Sequence, residues 1–251
     1  MEIRKATGIV LYSRRSGEAD VTARIFTREH GKRTFVFKGL KKSKTRPQSA
    51  AEPGTVLDLV YYFHENRDYQ VVNELKVASR RERVHDSLAR IYHLYYMLEL
   101  IDRTTGTGDP AVPLYELLAA ALDRLSSSPH TVSLSVFFTL HLMRMHGILP
   151  DLAACGECGR RDYDRFALDF RHFRVVCASC AQQHARGRKL MSAILRDYLA
   201  RAPSTRFDEM AHDAPPEDEL TDLLFFLALF VENYFRMELK SKGVLFMRAA
   251  E

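Results

Sequence analysis

Four cysteines, all between residues 155 and 180, are the residues of this 251-residue chain whose spacing points most directly to chemistry. They form two CxxC pairs, CGEC and CASC, separated by eighteen residues: Cys155, Cys158, Cys177 and Cys180. One CxxC pair can bind a metal from a tight turn, and a second pair completes a tetrahedron. The spacing predicts a four-cysteine zinc site holding one structural ion, because four sulfur ligands leave no position open for water. A degenerate site and a redox pair are the alternatives.

The second informative stretch is KGLKKSKTR, residues 38–46, which carries five cations and no acid. Residues 1–50 contain 13 Lys or Arg and 4 Asp or Glu, a net charge of +9. The remaining 201 residues hold 24 cations and 28 anions, a net charge of −4. A basic excess confined to one segment indicates a phosphate-bearing partner on one face of the protein. A solvated loop without a partner is the alternative.

The overall composition is that of a soluble globular protein, with 46% hydrophobic and 27% charged residues. The N-terminal stretch MEIRKATGIVLYSRR has no apolar run long enough for a signal peptide. The longest apolar run, LLFFLALFV at 223–231, is too short to span a bilayer and is interpreted as part of a buried helix. We therefore expect a cytoplasmic protein with no membrane partner.

The first eighty residues predict a small β-barrel. Alternating apolar residues, with many β-branched and aromatic side chains, mark five strands between turn signals. These are TGIVLY (7–12), VTARIFT (21–27), RTFVFK (33–38), TVLDLVYYF (55–63) and YQVVNELKV (69–77). The oligonucleotide-binding (OB) fold is the commonest five-stranded barrel, and an SH3-like barrel is the alternative.

After residue 80 the hydrophobic period changes to that of amphipathic helices. The predicted helices run from about Val84 to Thr104, and over 111–125, 132–146, 190–201 and 217–240. The chain therefore predicts an α+β multidomain protein, with an N-terminal five-stranded OB-fold barrel and an all-helical C-terminal domain into which a four-cysteine zinc module is inserted. The predicted segments are a barrel (1–80), the first helical part (81–150), the zinc module (151–186) and the second helical part (187–251).

No catalytic motif stands out. The chain has no GxxxxGK[ST] phosphate loop, no GxSxG nucleophile elbow and no HExxH metalloprotease motif. The sequence therefore predicts a binding protein and not an enzyme. A metal-dependent nuclease, whose acidic residues would converge only in the fold, is the weakest alternative.

Three segments resemble the family of the bacterial recombination mediator RecO. TGIVLY, then GEAD (17–20), then the strand that leads into KGLKKSKTR, resemble the amino-terminal domain of that family. LHLMRMHGILPDLAACGECGR (140–160) is similar to its helix preceding the zinc module, and VENYFRMELKSKGVLF (231–246) to its carboxyl-terminal helix. The order and spacing extend the resemblance over nearly the whole chain.

The resemblance implies an OB barrel, a helical domain and a zinc module, without catalysis of covalent chemistry. It implies binding to single- and double-stranded DNA and annealing of complementary strands. With the partner RecR, such a protein helps RecA replace single-strand-binding protein during recombinational gap repair, and the acidic tail of that binding protein is itself a ligand. A nucleoid-associated protein of the cytoplasm is expected. No motif marks the pocket for the acidic tail.

The resemblance also assigns DNA contacts to the basic loop. Its cations are Lys38, Lys41, Lys42, Lys44 and Arg46, and the predicted site further includes Arg33 and Phe35 of the preceding strand. Single strands would also stack bases on aromatic side chains. The candidates are Phe35, Phe37, Tyr61, Tyr62, Phe63 and Tyr69, of which about half must face the barrel interior. A protein-interaction scaffold and an RNA-binding protein with barrel and zinc ribbon remain alternatives.

Overall fold

The structure, a computed structural model, describes residues 2–184, 189–210 and 215–246. The chain divides into two compact units, Met1–Ser128 and Pro129–Glu251. Of the domain boundaries expected from the sequence, the one at 186 lies outside the described residues. Those at 80 and 150 stay predictions.

A closed five-stranded barrel begins the first unit, with neighbouring strands in the order β1-β2-β3-β5-β4 and β4 pairing with β1. The strands are β1 (Glu2–Arg15), β2 (Val21–Thr27), β3 (Gly31–Phe37), β4 (Val56–Phe63) and β5 (Tyr69–Ser79). All pairs are antiparallel except β3 with β5, which run parallel. The OB fold has this closed five-stranded arrangement, so the predicted fold class is confirmed.

Alternating side chains explain why these segments form a barrel. Phe35 and Phe37 of β3 join Ala23 and Ile25 of β2 in one buried cluster inside the barrel. β1 is longer than predicted because its first half pairs with β4 and its second half with β2. The register shift between Val10 and Tyr12 marks an irregularity of the bulge type, which bends the strand and allows it to serve both neighbours.

Two helices belong to the same unit as the barrel. They are α1 (Leu88–Thr104) and α2 (Val112–Leu125). α1 begins later than predicted because Glu82–Asp86 forms a separate short 3-10 turn. An ion pair of 2.8 Å joins Arg24 of β2 to the buried Asp102 of α1, and the ring of Phe26 lies 6.1 Å from that of Tyr115 on α2. These contacts fix the helices to the outside of the barrel.

The described part of the second unit is mainly helical and contains a two-stranded hairpin. Its helices are α3 (Thr131–Met145), α4 (Ala178–His184), α5 (Ala193–Arg201), α6 (Phe207–Met210), α7 (Glu217–Phe235) and α8 (Lys240–Phe246). The hairpin consists of β6 (Phe166–Asp169) and β7 (Arg174–Cys177). The central residues of α3 and α7 are buried, and these two helices pack against each other.

The predicted single helix over 217–240 is wrong. Arg236 adopts a left-handed conformation with φ of 51°, which ends α7 at Phe235, and α8 starts only at Lys240. Glu232 holds the chain beyond this break: its carboxylate accepts a hydrogen bond from the backbone N–H of Leu239 at 2.7 Å and binds Lys242 at 2.6 Å. In the described part of the chain, no helix has the length and apolar character needed to cross a bilayer.

Candidate nucleic-acid interface and metal centre

The basic loop begins directly after β3. Gly39 takes a left-handed conformation, with φ of 67°, and a short 3-10 turn follows at Leu40–Lys42. Leu40 is fully buried and joins the barrel core. The loop therefore has a fixed starting geometry and is not a free chain between strands.

The five cations of the loop have different partners. Lys38 binds Asp20 at 2.6 Å, Lys42 binds Glu18 at 3.3 Å, and Arg46 donates to the backbone oxygen of Asn73 at 2.6 Å. Across residues 2–184, 189–210 and 215–246, no ion pair involves Lys41 or Lys44. Five cations against two acids leave the loop with a clear positive excess.

The acids that pair with the loop were missed by the sequence analysis, although both lie in GEAD. Asp20 accepts a hydrogen bond from Lys38 and another from the backbone N–H of Gly39 at 2.9 Å, and these bonds hold the pKa of Asp20 below its usual value. The available signal was an acidic turn between two strands that precede a basic loop. Nothing in the sequence pattern placed the turn beside that loop.

Two arginines of β1 extend the positive charge. Arg14 and Arg15 line a groove together with Lys41 of the loop and Gln48. Both arginines are exposed. We call the set Arg14, Arg15, Lys38, Lys41, Lys42 and Lys44 the basic surface.

The structure does not bring Arg33 and Phe35 to this surface. Phe35 is fully buried, with its ring 5.0 Å from that of Tyr61, so it cannot stack on a base and its assignment to the DNA site is corrected. Phe37 and Tyr61 are excluded as stacking residues for the same reason. Arg33 is half-buried, and its guanidinium lies 5.3 Å from the ring centre of Phe63, a packing contact.

A row of four paired residues crosses the outer face of the barrel. The register joins Tyr12 to Arg24, Arg24 to Thr34, and Thr34 to Tyr69, over strands β1, β2, β3 and β5. Directly paired residues project from the same face of a sheet. Tyr12 is 47% exposed and Tyr69 is 43% exposed, and three strand spacings separate their Cα atoms by about 14 Å. We call these four residues the outer row; Tyr12 was absent from the predicted stacking residues.

Arg24 is held in place within this row. Its guanidinium lies 5.2 Å from the ring centre of Tyr12 and pairs with Asp102 at 2.8 Å. The ammonium group of Lys32 also contacts Asp102: it lies near the carboxylate of Asp102 and donates a hydrogen bond to the backbone oxygen of Asp102. Burial lowers the pKa of Lys32, and the charge of Asp102 opposes this effect. The outer row therefore has a cation whose position is set by a buried acid.

The four predicted metal ligands cluster in the second unit. The sulfur atoms of Cys155, Cys158, Cys177 and Cys180 all lie within 4.8 Å of one another, and those of Cys158 and Cys177 are 3.9 Å apart. Tetrahedral Zn–S bonds of about 2.3 Å require sulfur separations of about 3.8 Å. The donor set fits a tetrahedral ion with all four positions taken by thiolates.

The backbone around Cys155 favours its thiolate form. Burial raises the pKa of Cys155, but hydrogen bonds from the backbone N–H groups of Cys158, Cys177 and Glu157 outweigh it and lower the pKa to about 6. β7 ends at Cys177, and α4 follows directly, so that Cys180 lies in its first turn. The end of the hairpin and the start of the helix thus supply the second pair of ligands.

Arg174 of β7 fixes the first ligand turn to the hairpin. It donates to the backbone oxygen of Gly156 at 3.0 Å, pairs with Glu157, and binds the buried Asp169 at 3.3 Å. The backbone N–H of Gly156 also donates to the backbone oxygen of Val175 at 2.8 Å. His172 lies 2.8 Å from Asp169 and is not among the clustered donors. The cluster therefore has only cysteine ligands within the described residues.

The fold and the two sites define a class: an OB-fold protein with a basic loop, whose mainly helical second unit carries a cluster of four cysteines that could hold a metal ion. The chain belongs to the RecO family. The profile described as "Recombination protein O N terminal" matches residues 1–81, and that described as "Recombination protein O C terminal" matches residues 85–243. The resemblance inferred from the sequence is confirmed.

Similar proteins are named "DNA repair protein RecO". One from an Exiguobacterium species is 27% identical over 246 residues, covering 97% of this chain and 95% of its own. One from Koribacter versatilis is 28% identical over 244 residues, covering 97% and 98%. One from Heliobacterium modesticaldum is 32% identical over 159 residues, covering 63% and 57%. None of these names denotes a catalytic activity.

Proposed function

We propose that this protein is a non-catalytic DNA-binding mediator of recombinational repair. It binds single- and double-stranded DNA and anneals complementary strands. With RecR it helps load RecA onto DNA coated by single-strand-binding protein, whose acidic tail it contacts. The observation that carries the DNA-binding part is the basic surface at the end of β3, together with an outer row that has an exposed tyrosine at each end.

The basic surface supplies the sequence-independent part of the affinity. Clustered lysines and arginines release condensed counterions from the phosphates, and each contact steepens the salt dependence of binding. Lys41 and Lys44, without acid partners in the described chain, take phosphates without breaking an ion pair. Arg14 and Arg15 extend the phosphate path along β1.

The outer row supplies contacts that only unpaired bases can use. Rings of Tyr12 and Tyr69 stack with bases, and sequence does not matter because every base has a flat face. Arg24, already oriented over Tyr12, adds a cation beside the stacked base. Single strands therefore use both surfaces, whereas duplexes use mainly the basic surface.

The remaining parts of the proposal rest on family membership and donor chemistry. The relatives' names support a role in DNA repair, and RecR, single-strand-binding protein and, indirectly, RecA are the partners that the RecO family implies. Four thiolates at tetrahedral spacing suit Zn²⁺, which when bound supplies structural cross-linking and no reaction. A protein bound to chromosomal DNA acts at the nucleoid, in the cytoplasm.

The test is the affinity for a fluorescent single-stranded oligonucleotide across a salt series at fixed pH. We expect log K to fall steeply with log salt, with a slope of about −0.7 for each phosphate contact on a single strand. Charge reversal to Glu at Lys41, Lys42 and Lys44 should weaken binding, flatten this slope and slow the annealing of complementary strands.

The matched control reverses three other exposed cations of the same unit: Lys5 and Lys76, which line a groove on the outside of β1, β4 and β5, and Arg83. It changes the net charge equally and should leave most of the affinity and slope. Equal losses in both triple variants would show that the protein responds only to net charge. Unchanged binding in the loop variant would refute the proposed interface.

A further inference from the structure

The turn between β1 and β2, residues 16–20, lies against the basic loop, and hydrogen bonds join its two ends. The backbone N–H of Ser16 donates to the backbone oxygen of Asp20 at 3.0 Å, and the hydroxyl of Thr22 donates to that of Ser16 at 2.8 Å. Both ends of the turn are therefore tied to each other. A turn fixed in this way can hold another loop in a set position.

Asp20 acts on the backbone of the basic loop. Its carboxylate accepts from the N–H of Gly39 at 2.9 Å and from Lys38 at 2.6 Å. Next to it, the backbone oxygen of Ala19 accepts from the N–H of Lys41 at 2.9 Å. These bonds surround Gly39, whose left-handed conformation sets the direction in which the loop leaves β3.

Glu18 makes a different kind of contact. Its side chain is 92% exposed, and it pairs with the end of one long side chain, that of Lys42, at 3.3 Å. In the described part of the chain, the Glu18 carboxylate accepts no backbone hydrogen bond. An exposed ion pair of this kind contributes little to stability. It nevertheless occupies a cation of the basic surface.

We propose that these two acids of one turn have opposite effects on nucleic-acid binding. Asp20 is a positioning residue that orients the loop so that its cations meet consecutive phosphates. Glu18 competes with phosphate for Lys42 and so limits affinity. This inference rests on the proposed function, because it concerns the same basic surface.

The two acids are an informative pair because each carries one negative charge and pairs with one lysine of the same basic loop. If only charge mattered, removing either would strengthen binding to a polyanion. If geometry also matters, removing Asp20 releases Gly39 and the loop must be ordered again on binding, which costs affinity. The sign of the change therefore separates positioning from charge.

The experiment compares Glu18→Ala and Asp20→Ala in the full chain, with Glu82→Ala as control. Glu82 is an exposed acid paired with Arg80 at 3.4 Å, which resembles the Glu18–Lys42 pair, but it lies outside the basic surface. Affinity for a single-stranded oligonucleotide is measured across salt. We expect Glu18→Ala to bind about two- to fivefold more tightly at low salt, with a steeper slope.

Asp20→Ala should bind about two- to tenfold more weakly, although it removes the same charge. Asp20→Asn, which keeps an oxygen for the Gly39 N–H, should fall between it and the wild type, and Glu82→Ala should stay close to the wild type. Amide hydrogen exchange gives a readout without DNA: exchange at Gly39 and Lys41 should accelerate in Asp20→Ala and not in Glu18→Ala.

Several results would overturn the inference. If both variants bound DNA equally more tightly, only the charge of the two acids would matter. If both bound equally more weakly, both acids would position the loop. If the affinity changed in neither, neither acid would affect binding. Unaltered exchange at Gly39 in Asp20→Ala would remove the positioning role. Absence of wild-type binding at low salt would instead refute the proposed function, and the inference with it, and is recognised before any variant is compared.

Discussion

Tyr12, Tyr69 and Phe35 are all aromatic residues of the barrel, but their surroundings assign them different tasks. Phe35 contributes its whole ring to the core, where replacement by Ala typically costs about 3–5 kcal/mol of stability. Tyr12 and Tyr69 keep nearly half of their surface in solvent at opposite ends of the outer row. Exposure on a shared face, and not aromatic character alone, qualifies a residue to stack on bases.

We predict that Tyr12→Ala and Tyr69→Ala each weaken single-strand binding by about 1–3 kcal/mol, the usual value for one stacked base. Duplex binding should change little, because paired bases do not reach the rings. Fluorescence anisotropy with single-stranded and duplex oligonucleotides measures both. Tyr95→Ala is the control, since Tyr95 of α1 is 47% exposed and lies outside the outer row. Equal loss on duplex would contradict stacking.

His93 of α1 makes the stability of the first unit depend on pH. The residue is buried, and burial lowers its pKa from 6.5 to about 4. Between these values the unfolded chain binds a proton that the folded chain does not, so the free energy of unfolding falls as the pH drops from about 6.5 to 4. The loss attributable to this residue is about 3 kcal/mol.

Replacing His93 with Gln should remove that part of the pH dependence, whatever the variant costs at neutral pH. Urea unfolding at about pH 7 and about pH 4.5, on either side of most of the His93 titration, gives the difference for each protein. His85→Gln, at an exposed position, should retain the wild-type difference. A His93→Gln protein that loses as much stability in acid as the wild type would contradict the assignment.

The hairpin β6–β7 and the start of α4 lie within the span of the four clustered cysteines. β6 and β7 have four residues each, and a two-stranded hairpin of this size is marginal alone in water. An ion held by these four cysteines, which are spread over residues 155–180, would tie the short elements together. Metal binding to such a site contributes directly to folding, so we expect removal of a bound ion to act on this region first.

We expect one Zn²⁺ per chain in protein purified without chelator, and less than one in Cys177→Ser. Chelation should open the segment around residues 155–177 to proteolysis while the barrel stays resistant. Metal analysis measures the zinc content, and mass spectrometry of the fragments locates the cleavage, with sites inside the barrel as the internal control. Metal-free protein with an intact hairpin would refute a structural ion.

Periodicity predicted the elements well where one face is buried throughout. All five barrel strands and the helices at 111–125 and 132–146 are observed within a few residues of their predicted ends, apart from the longer start of β1. Local backbone choices were less visible: Arg236 ends α7 in a left-handed conformation that Gly or Asn would have signalled, and Arg has no such preference. The exposed ends of β1 were missed because their polar residues do not alternate clearly.

Among the candidate site residues, the sequence likewise revealed those that are close together along the chain and missed those that only the fold brings together. CxxC spacing identified all four cysteines of the cluster, since neighbouring thiols in sequence remain neighbours in a turn. The basic loop was visible as composition, but Glu18 and Asp20 pair with it only because the barrel brings two separate loops together. Tyr12 was missed because its row is defined by strand pairing, which one strand's sequence does not reveal.

At the scale of the whole molecule, charge is unevenly divided along the chain. The first 50 residues carry +9 and the remaining 201 carry −4. Most of the cations in that N-terminal segment lie on β1–β3 and in the loop after β3, so the positive electrostatic potential is concentrated at the barrel. Such a local field attracts a polyanion to one region and raises the association rate, an effect that salt screens.

The strand order of the barrel also governs how the chain can fold as it is synthesised. β1, β2 and β3 are consecutive and joined by short turns, so their meander can form as soon as residue 37 has emerged. The last seam is parallel, and its three pairs join residues 34–36 to 69–71. β5 is the last of the five strands to be synthesised, so this seam cannot form before residues 69–71 have emerged. The nascent barrel therefore exposes one open, apolar side until β5 is complete, and this interval is when the chain most needs protection from aggregation.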